Sequence, residues 1–209
     1  MKKITSNLVV ILLAGGIGSR LKQKTSKQMI SYNDETILEK NIISFKKYLK
    51  NIPIQVVSNC KDLSKVSEIN KKFNILPPVL GGNERQESVF NALEPLRKIN
   101  PKYILIHDAA RPLVSWQVIK KLLKYCQKEI ACVVPTLNIS DAIRTVSKDL
   151  ITDVVSKKGK VLVQTPQLCN YKLLMDAHSK SKNFYEDESS LFLNNGMKVI
   201  AVEGDPLTL

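Results

Sequence analysis

Leu8-Val9-Val10-Ile11-Leu12-Leu13-Ala14-Gly15-Gly16-Ile17-Gly18-Ser19-Arg20 is the stretch from which the fold is read. Its first half, Val9 to Leu13 above all, is a short β-branched and aliphatic run without polar alternation, as expected for a strand covered on both faces. Its second half is a glycine-rich turn placed directly after that strand. Small residues there let backbone N–H groups approach a triphosphate, while Arg20 and Lys27 can neutralise negative charge growing on a leaving pyrophosphate. The spacing matches neither the Walker A pattern GxxxxGK[ST] nor the dinucleotide GxGxxG pattern. Read alone, it could be only a tight connection.

Further apolar runs of the same kind follow at Ile54 to Val57, Tyr103 to Ile106 and Ile130 to Val134, and together they read as a parallel sheet. Between them, Ile37 to Tyr48, Leu63 to Phe73, Gln86 to Lys98 and Val118 to Gln127 carry helical spacing, the last with Ile119, Leu122, Leu123 and Cys126 on one stripe. This alternation predicts right-handed βαβ crossovers, an α/β doubly wound, Rossmann-like sheet with helices on both faces. The pattern breaks after Pro135. Residues 138–164 mix polar, β-branched and basic residues and read as an extended hairpin or arm. A helix is expected again at Tyr171 to Lys182, a short one at Glu188 to Leu193 and a strand at Lys198 to Val202. No linker divides the chain, so residues 1–209 read as one domain with an arm at about 138–164.

Composition narrows the function classes. With 209 residues, 44% of them hydrophobic, the chain can bury an ordinary core. No apolar run approaches the ~20 residues of a membrane-spanning helix, and Leu8 to Ala14 stops at Gly15-Gly16, so neither a membrane span nor a signal peptide is expected. Cys60, Cys126, Cys132 and Cys169 are far apart and form no CxxC pair, which suits reduced thiols in a cytoplasm. The net charge of +13 invites a nucleic-acid partner, but the cations are dispersed and only 6% of residues are aromatic, which argues against a nucleic-acid platform. Such a chain suits anionic small substrates.

Three further motifs carry candidate chemistry. In Gly81-Gly82-Asn83-Glu84-Arg85-Gln86-Glu87-Ser88 the glycines permit close backbone approach, and Asn83 and Ser88 can hydrogen-bond a base edge or cap a helix. His107-Asp108-Ala109-Ala110-Arg111-Pro112 ends a strand at the edge where open α/β sheets place ligands. There Asp108 could hold Mg²⁺ and Arg111 could grip a phosphate, or the two could form a plain strand-end ion pair. His107 reads as a packed histidine, and His178 has no evident partner. Gln164-Thr165-Pro166-Gln167 and Glu186-Asp187-Glu188-Ser189-Ser190 read by themselves as a turn and a helix N-terminus.

Taken together, LAGGIGSR with Lys27, GGNERQESV, HDAARP, QTPQ, DESSL and VEGD resemble, in order and approximate spacing, the 2-C-methyl-D-erythritol 4-phosphate cytidylyltransferase family of the non-mevalonate isoprenoid pathway. The resemblance spans nearly the whole chain. It implies a three-layer nucleotidyltransferase fold with a mostly parallel sheet and a protruding β-arm, and transfer of CMP from CTP to a sugar-alcohol phosphate, with Mg²⁺ or another divalent cation as cofactor. It implies catalytic cations at Arg20 and Lys27, and nucleotide binding at Ala14, Gly15, Gly16, Gly18, Gly82, Asn83, Ser88, Asp108 and Ala109. The sugar-alcohol phosphate is expected at Asp108, Arg111, Asp141, Lys157 and Thr165, partly through an arm crossing a homodimer, and the metal at Asp108. The nearest rival family, ribitol-5-phosphate cytidylyltransferase, shares the LAGGxGSR loop, an HDAxRP-like segment and QTPQ. GGNERQESV and DESSL lean towards the erythritol enzyme.

The chain departs from the family's pattern at three places. Ser140-Asp141-Ala142-Ile143-Arg144 stands where the family has a DTxK-like arm motif, so a hydroxyl contact is missing. Ser156-Lys157-Lys158-Gly159-Lys160 stands where it has VDRxGLW, and Lys cannot grip phosphate bidentately as Arg does. After VEGD the family continues into a KxT-like strand bearing another active-site lysine and a closing helix, whereas this sequence stops at Leu209. A truncated sequence, the front part of a two-enzyme fusion, or a CTP-binding domain with impaired catalysis is therefore among the expectations.

Overall fold

The computed structural model describes residues 7–16, 26–126, 128–181 and 183–208. Leu8–Ala14 is strand β1, and a two-residue hairpin, Ser31–Tyr32 (β2) with Glu35–Thr36 (β3), leads into helix α1, Ile37–Tyr48. Then come β4 (Ile54–Ser58), α2 (Leu63–Phe73), β5 (Val79–Leu80), α3 (Arg85–Leu93), β6 (Tyr103–Asp108), α4 (Trp116–Leu123) and β7 (Cys132–Asn138). The arm hairpin is β8 (Ile143–Ser147) and β9 (Leu150–Val155), followed by β10 (Val161–Val163), β11 (Gln167–Asn170), α5 (Tyr171–Lys180), α6 (Glu188–Asn194) and β12 (Val199–Glu203).

The main sheet runs β10-β7-β11-β6-β1-β4-β5, with β12 joined in parallel to β7. β1 lies between β4 and β6, parallel to both, which puts the ends of all three strands on one edge. Alternation along β1 decides the layering. Leu8, Val10, Leu12 and Ala14 pack with Leu38, Ile42 and Phe45 of α1 and Val118, Ile119 and Leu122 of α4. Val9 and Ile11 point the other way, to Val89 and Leu93 of α3, Leu174 of α5 and Phe192 of α6. The helices therefore cover both faces, as expected of a doubly wound sheet.

Local signals explain the helix ends. Thr36 and Glu39 form a reciprocal capping box at the start of α1, Asn170 caps α5 and Asp187 caps α6. The helix expected at Gln86 to Lys98 begins at Arg85, stops at Leu93 and is followed by a 3₁₀ turn at Pro95–Lys98. Pro95 lacks the N–H that would continue the α-helical ladder. The strand expected at Ile130 to Val134 starts instead at Cys132 and runs to Asn138, and the helix expected at Val118 to Gln127 starts at Trp116 and ends at Leu123. β11, read from sequence as part of a turn, is an antiparallel strand wedged between β6 and β7. The sheet is parallel through β6, β1, β4 and β5, and mixed beyond.

Among the described residues the arm hairpin pairs only with itself, with a register shift between Thr145 and Val146. Val146, Leu150, Ile151 and Val154 are all at least 62% exposed on it.

Candidate active site

The turn after β1 is held from below. Gln28 is buried, and its side-chain amide donates to the Ala14 carbonyl at 2.6 Å and the Gly16 carbonyl at 3.2 Å, with the Asp62 carboxylate at 3.4 Å. Asp62 is itself fixed by Asn59, whose amide donates to Oδ2 at 2.8 Å. Gln28 sits in the 3₁₀ turn Lys27–Met29, so its bonds tie that turn, on which Lys27 is exposed, to the backbone of Ala14 and Gly16. Gly18 and Arg20, expected to complete this loop, lie outside the described residues.

The second glycine pair meets the first across the ends of β1 and β4. The Gly81 N–H donates to the Ser58 carbonyl at 2.9 Å, and the Gly82 N–H donates to Ser88 Oγ at 3.1 Å. A Cβ on Gly82 would lie 2.3 Å from the Glu87 Cβ, and one on Gly15 would lie 3.8 Å from Ser88 Oγ. Only glycine fits at position 82, and Ser88 is the side chain that both glycine segments approach. Neither Asn83 nor Ser88 caps α3: the N-cap is Glu84, without a side-chain cap bond, while the Asn83 N–H donates to Glu87 Oε2 at 2.8 Å. The Asn83 side chain stays exposed at the mouth.

The third part is the turn after β6. Leu13 of β1 pairs with Asp108, so the two strand ends are level. The Asp108 carboxylate lies between two guanidiniums, Arg85 Nε at 3.4 Å and Arg111 Nε at 3.5 Å. Both contacts are long, and the strand-end ion pair considered from sequence is present but loose. Arg111 also donates from Nη1 to the Thr208 carbonyl at 3.0 Å. Ala109 is fully buried, with its N–H given to Leu13 and its carbonyl taken by Asn41 at 2.9 Å. Arg85 is further anchored by Glu188, and although burial alone would lower its pKa, that carboxylate, with Asp108 and Asp187 beyond, holds it above the ordinary value. Its charge is thus committed to the protein.

The QTPQ segment ties these parts together. Gln164 exchanges two hydrogen bonds with the backbone of Asp205, its Nε2 donating at 2.9 Å and its Oε1 accepting at 3.0 Å. Gln167 donates to the Asp187 carboxylate at 2.8 Å and accepts from the Ser189 N–H at 3.3 Å. Between them Thr165, which precedes a cis proline, accepts from the Asp108 N–H at 3.3 Å. Specific bonds thus join the HDAARP turn to β1, to Arg85 of the second glycine segment and to Thr165, and join QTPQ to Asp187 and Asp205. Reading the motifs singly missed Gln28, Arg85, Glu188, Gln164 and Gln167 as contributors; for all but Gln28 the available signal was membership of a quoted motif.

Asp141 and Lys157 stand apart from this assembly. Lys157 Nζ donates to the Ser140 carbonyl at 2.6 Å, and Ser140 Oγ lies 3.4 Å from the Asp141 carboxylate, so the contacts of both residues are within the arm. Among the described residues no three His, Cys, Asp or Glu side chains converge as a metal cage. A single partly exposed carboxylate, Asp108, is nevertheless compatible with Mg²⁺, which usually takes one or two protein carboxylates and fills its remaining positions with phosphate and water.

Chemically, the described residues bring backbone amides, one exposed lysine, a carboxylate and an arginine to the carboxyl edge of a parallel sheet, the equipment for holding a polyphosphate beside a second anion. Comparison with known proteins agrees. The family model described as "IspD: 2-C-methyl-D-erythritol 4-phosphate cytidylyltransferase" matches residues 8–209. The chain is similar to the 2-C-methyl-D-erythritol 4-phosphate cytidylyltransferase of Thermotoga neapolitana, 35% identical over 205 residues that cover 94% of this chain and 87% of the relative. It is 32% identical over 202 residues to the bifunctional enzyme IspD/IspF of Wolbachia pipientis wMel, covering 95% of this chain and 51% of that protein. The chain thus spans about half the length of that bifunctional relative. Among solved structures, the 2-C-methyl-D-erythritol 4-phosphate cytidylyltransferase of Thermus thermophilus superposes with a TM-score of 0.78 at 25% identity, covering 95% of this chain and 90% of the other. The bifunctional IspDF of Campylobacter jejuni superposes with a TM-score of 0.81 at 25% identity, covering 97% and 51%.

Proposed function

As a member of the 2-C-methyl-D-erythritol 4-phosphate cytidylyltransferase family, the chain is, we propose, an enzyme that transfers CMP from CTP to 2-C-methyl-D-erythritol 4-phosphate, giving 4-diphosphocytidyl-2-C-methyl-D-erythritol and pyrophosphate. The observation that carries this reading is the meeting of three loops at the edge of the β4–β1–β6 strands, with Gly15 and Gly82 both against Ser88 and Asp108 level with Leu13.

In the proposed reaction a phosphate oxygen of the sugar-alcohol phosphate attacks the α-phosphorus of CTP in line. The new oxygen–phosphorus bond forms as the bond to the pyrophosphate breaks, and the pyrophosphate carries away the electron pair. No general base is required, since a phosphate monoester is already largely ionised near neutral pH. Catalysis is then positioning and charge neutralisation. Backbone groups at Ala14, Gly15, Gly16 and Gly18 cradle the triphosphate, and Arg20 and Lys27 offset the charge of the leaving group. Gly82, Asn83 and Ser88 form the nucleoside end, with Asp108 at its floor; Ala109, buried with both backbone groups bonded, supports that floor from behind. Arg111 holds the acceptor, with Thr165 behind it on the Asp108 amide, completed by Asp141 and Lys157 from the arm of a second copy. A divalent cation, held by Asp108 on the protein side, would supply further neutralisation of the phosphates when bound.

The arm supports a homodimer: a lone two-stranded hairpin is marginal in water, and this one exposes Leu150 at 70%, Ile151 at 69% and Val154 at 68%. The cytoplasm is the inferred compartment, supported by thiols at Cys60, Cys126, Cys132 and Cys169. A downstream isoprenoid-pathway domain is a further partner, as in the bifunctional relatives.

The deciding experiment measures pyrophosphate release from CTP with 2-C-methyl-D-erythritol 4-phosphate and ribitol 5-phosphate side by side, with Mg²⁺ or with EDTA. Release with the erythritol substrate alone is expected. Release with ribitol 5-phosphate alone would transfer the assignment to the rival family, and CTP binding without release would make the chain a binding domain.

A further inference from the structure

The turn that carries Asp108 and Arg111 is gripped at both ends by one pair of side chains. His107 is fully buried at the end of β6, with the Phe45 ring edge-on at 5.6 Å. Its Nε2 lies 2.9 Å from the Arg111 carbonyl oxygen. A carbonyl can only accept, so Nε2 carries the hydrogen and donates. On the other side Nδ1 lies 2.9 Å from Thr165 Oγ1, and the same hydroxyl oxygen accepts the Asp108 N–H at 3.3 Å. The bonds form a continuous line from the Asp108 amide, through the Thr165 hydroxyl and the imidazole, to the Arg111 carbonyl. The turn's own bond, Arg111 N–H to the Asp108 carbonyl at 3.0 Å, closes the loop from inside. Bonds of this kind in a buried setting fix geometry more firmly than a surface ion pair, and the direct Asp108–Arg111 contact, at 3.5 Å, is loose.

We propose that His107 and Thr165 are a positioning pair that sets the separation of Asp108 and Arg111, and with it the seat of the acceptor's phosphate. His107 touches no substrate; it acts through the backbone at 108 and 111. The inference rests on the reading of Asp108 and Arg111 as ligands of the sugar-alcohol phosphate, so its test has one arm that does not depend on activity.

Thr165→Val keeps the shape and removes the hydroxyl, and Thr165→Ser keeps the hydroxyl. In the full chain, Thr165→Val is expected to raise the KM for 2-C-methyl-D-erythritol 4-phosphate about tenfold, the equivalent of one lost buried hydrogen bond, with a smaller effect on kcat, and Thr165→Ser to recover most of that loss. Independently of turnover, nitrogen NMR of the wild-type ring is expected to show the Nε2-protonated form, and Asp108 amide exchange to quicken about tenfold in Thr165→Val. A ring protonated on Nδ1 alone, or a Thr165→Val protein with unchanged Asp108 exchange, overturns the clamp. Intact ring and exchange results with a KM within twofold of wild type would leave the bonds real but overturn their role in seating the acceptor. If the wild type releases no pyrophosphate at all, the enzymatic reading fails and the NMR arm alone judges the clamp.

Discussion

Arg85 holds Glu188 through two bonds, Nη1 to Oε1 at 2.8 Å and Nη2 to Oε2 at 3.1 Å, and so pins the start of α3 to the start of α6. The Glu188 side chain is only 3% exposed, and removing one partner strands a buried charge. Arg85→Met is therefore expected to lose about 3 kcal/mol or more of stability, and Arg85→Met with Glu188→Leu to recover part of it. A double-mutant cycle by urea unfolding checks this; a coupling near zero would refute the pairing.

Acid should weaken the fold before its carboxylates are protonated. Burial pushes His107 down from an ordinary 6.5 to about 4, and burial, with Arg85 second, does the same to His178, whose Nε2 has no hydrogen-bond partner among the described residues. Between those values the unfolded chain binds the protons that the folded chain refuses, so stability falls as pH drops from 6.5 towards 4, by up to roughly 3 kcal/mol per histidine. Urea midpoints at pH 7 and pH 5 measure the slope, and His178→Phe should flatten it.

At the glycine turn, Arg20→Ala and Lys27→Ala are each expected to lower kcat on the order of a hundredfold or more, because each removes a cation from the leaving group. Lys27 is exposed, and Gln28 holds its turn, so the circular dichroism spectrum and melting temperature of Lys27→Ala should match wild type. Near-wild-type turnover would remove these residues from the mechanism.

On the arm, charge placed on the exposed apolar face should release the proposed dimer. Ile151→Glu with Val154→Glu is expected to weaken association about a hundredfold or more, since unpaired charge in an apolar contact costs a few kcal/mol. Light scattering reads the outcome: a wild type already monomeric, or a variant still dimeric, would sink the arm's role.

Much of the fold was legible locally. α1 and α2 coincide with the stretches whose spacing announced them, and the runs at β1, β4 and β6 were recognisable because strands covered on both faces need no polar alternation. β11 was not legible. It is four residues long, Gln167-Leu168-Cys169-Asn170, and its strand character comes from lying between β6 and β7. Single-sequence periodicity carries no information about such a neighbour. The stop of α3 at Leu93, short of the expected Lys98, had a visible cause in Pro95, which outweighs the apolar spacing that continues beyond it.

The sequence by itself determined the alternating α/β architecture, the glycine turn after the first strand and the roster of motif residues, because these rest on periodicity and on the chemistry of single residue types. Only the tertiary structure decided how the motifs interlock: Arg85 with Glu188, 103 positions away, and Gln164 with Asp205, 41 positions away. Such pairs meet because sheet order and crossovers fold distant loops onto one edge, and strand order is a property of the packed core that no local pattern encodes.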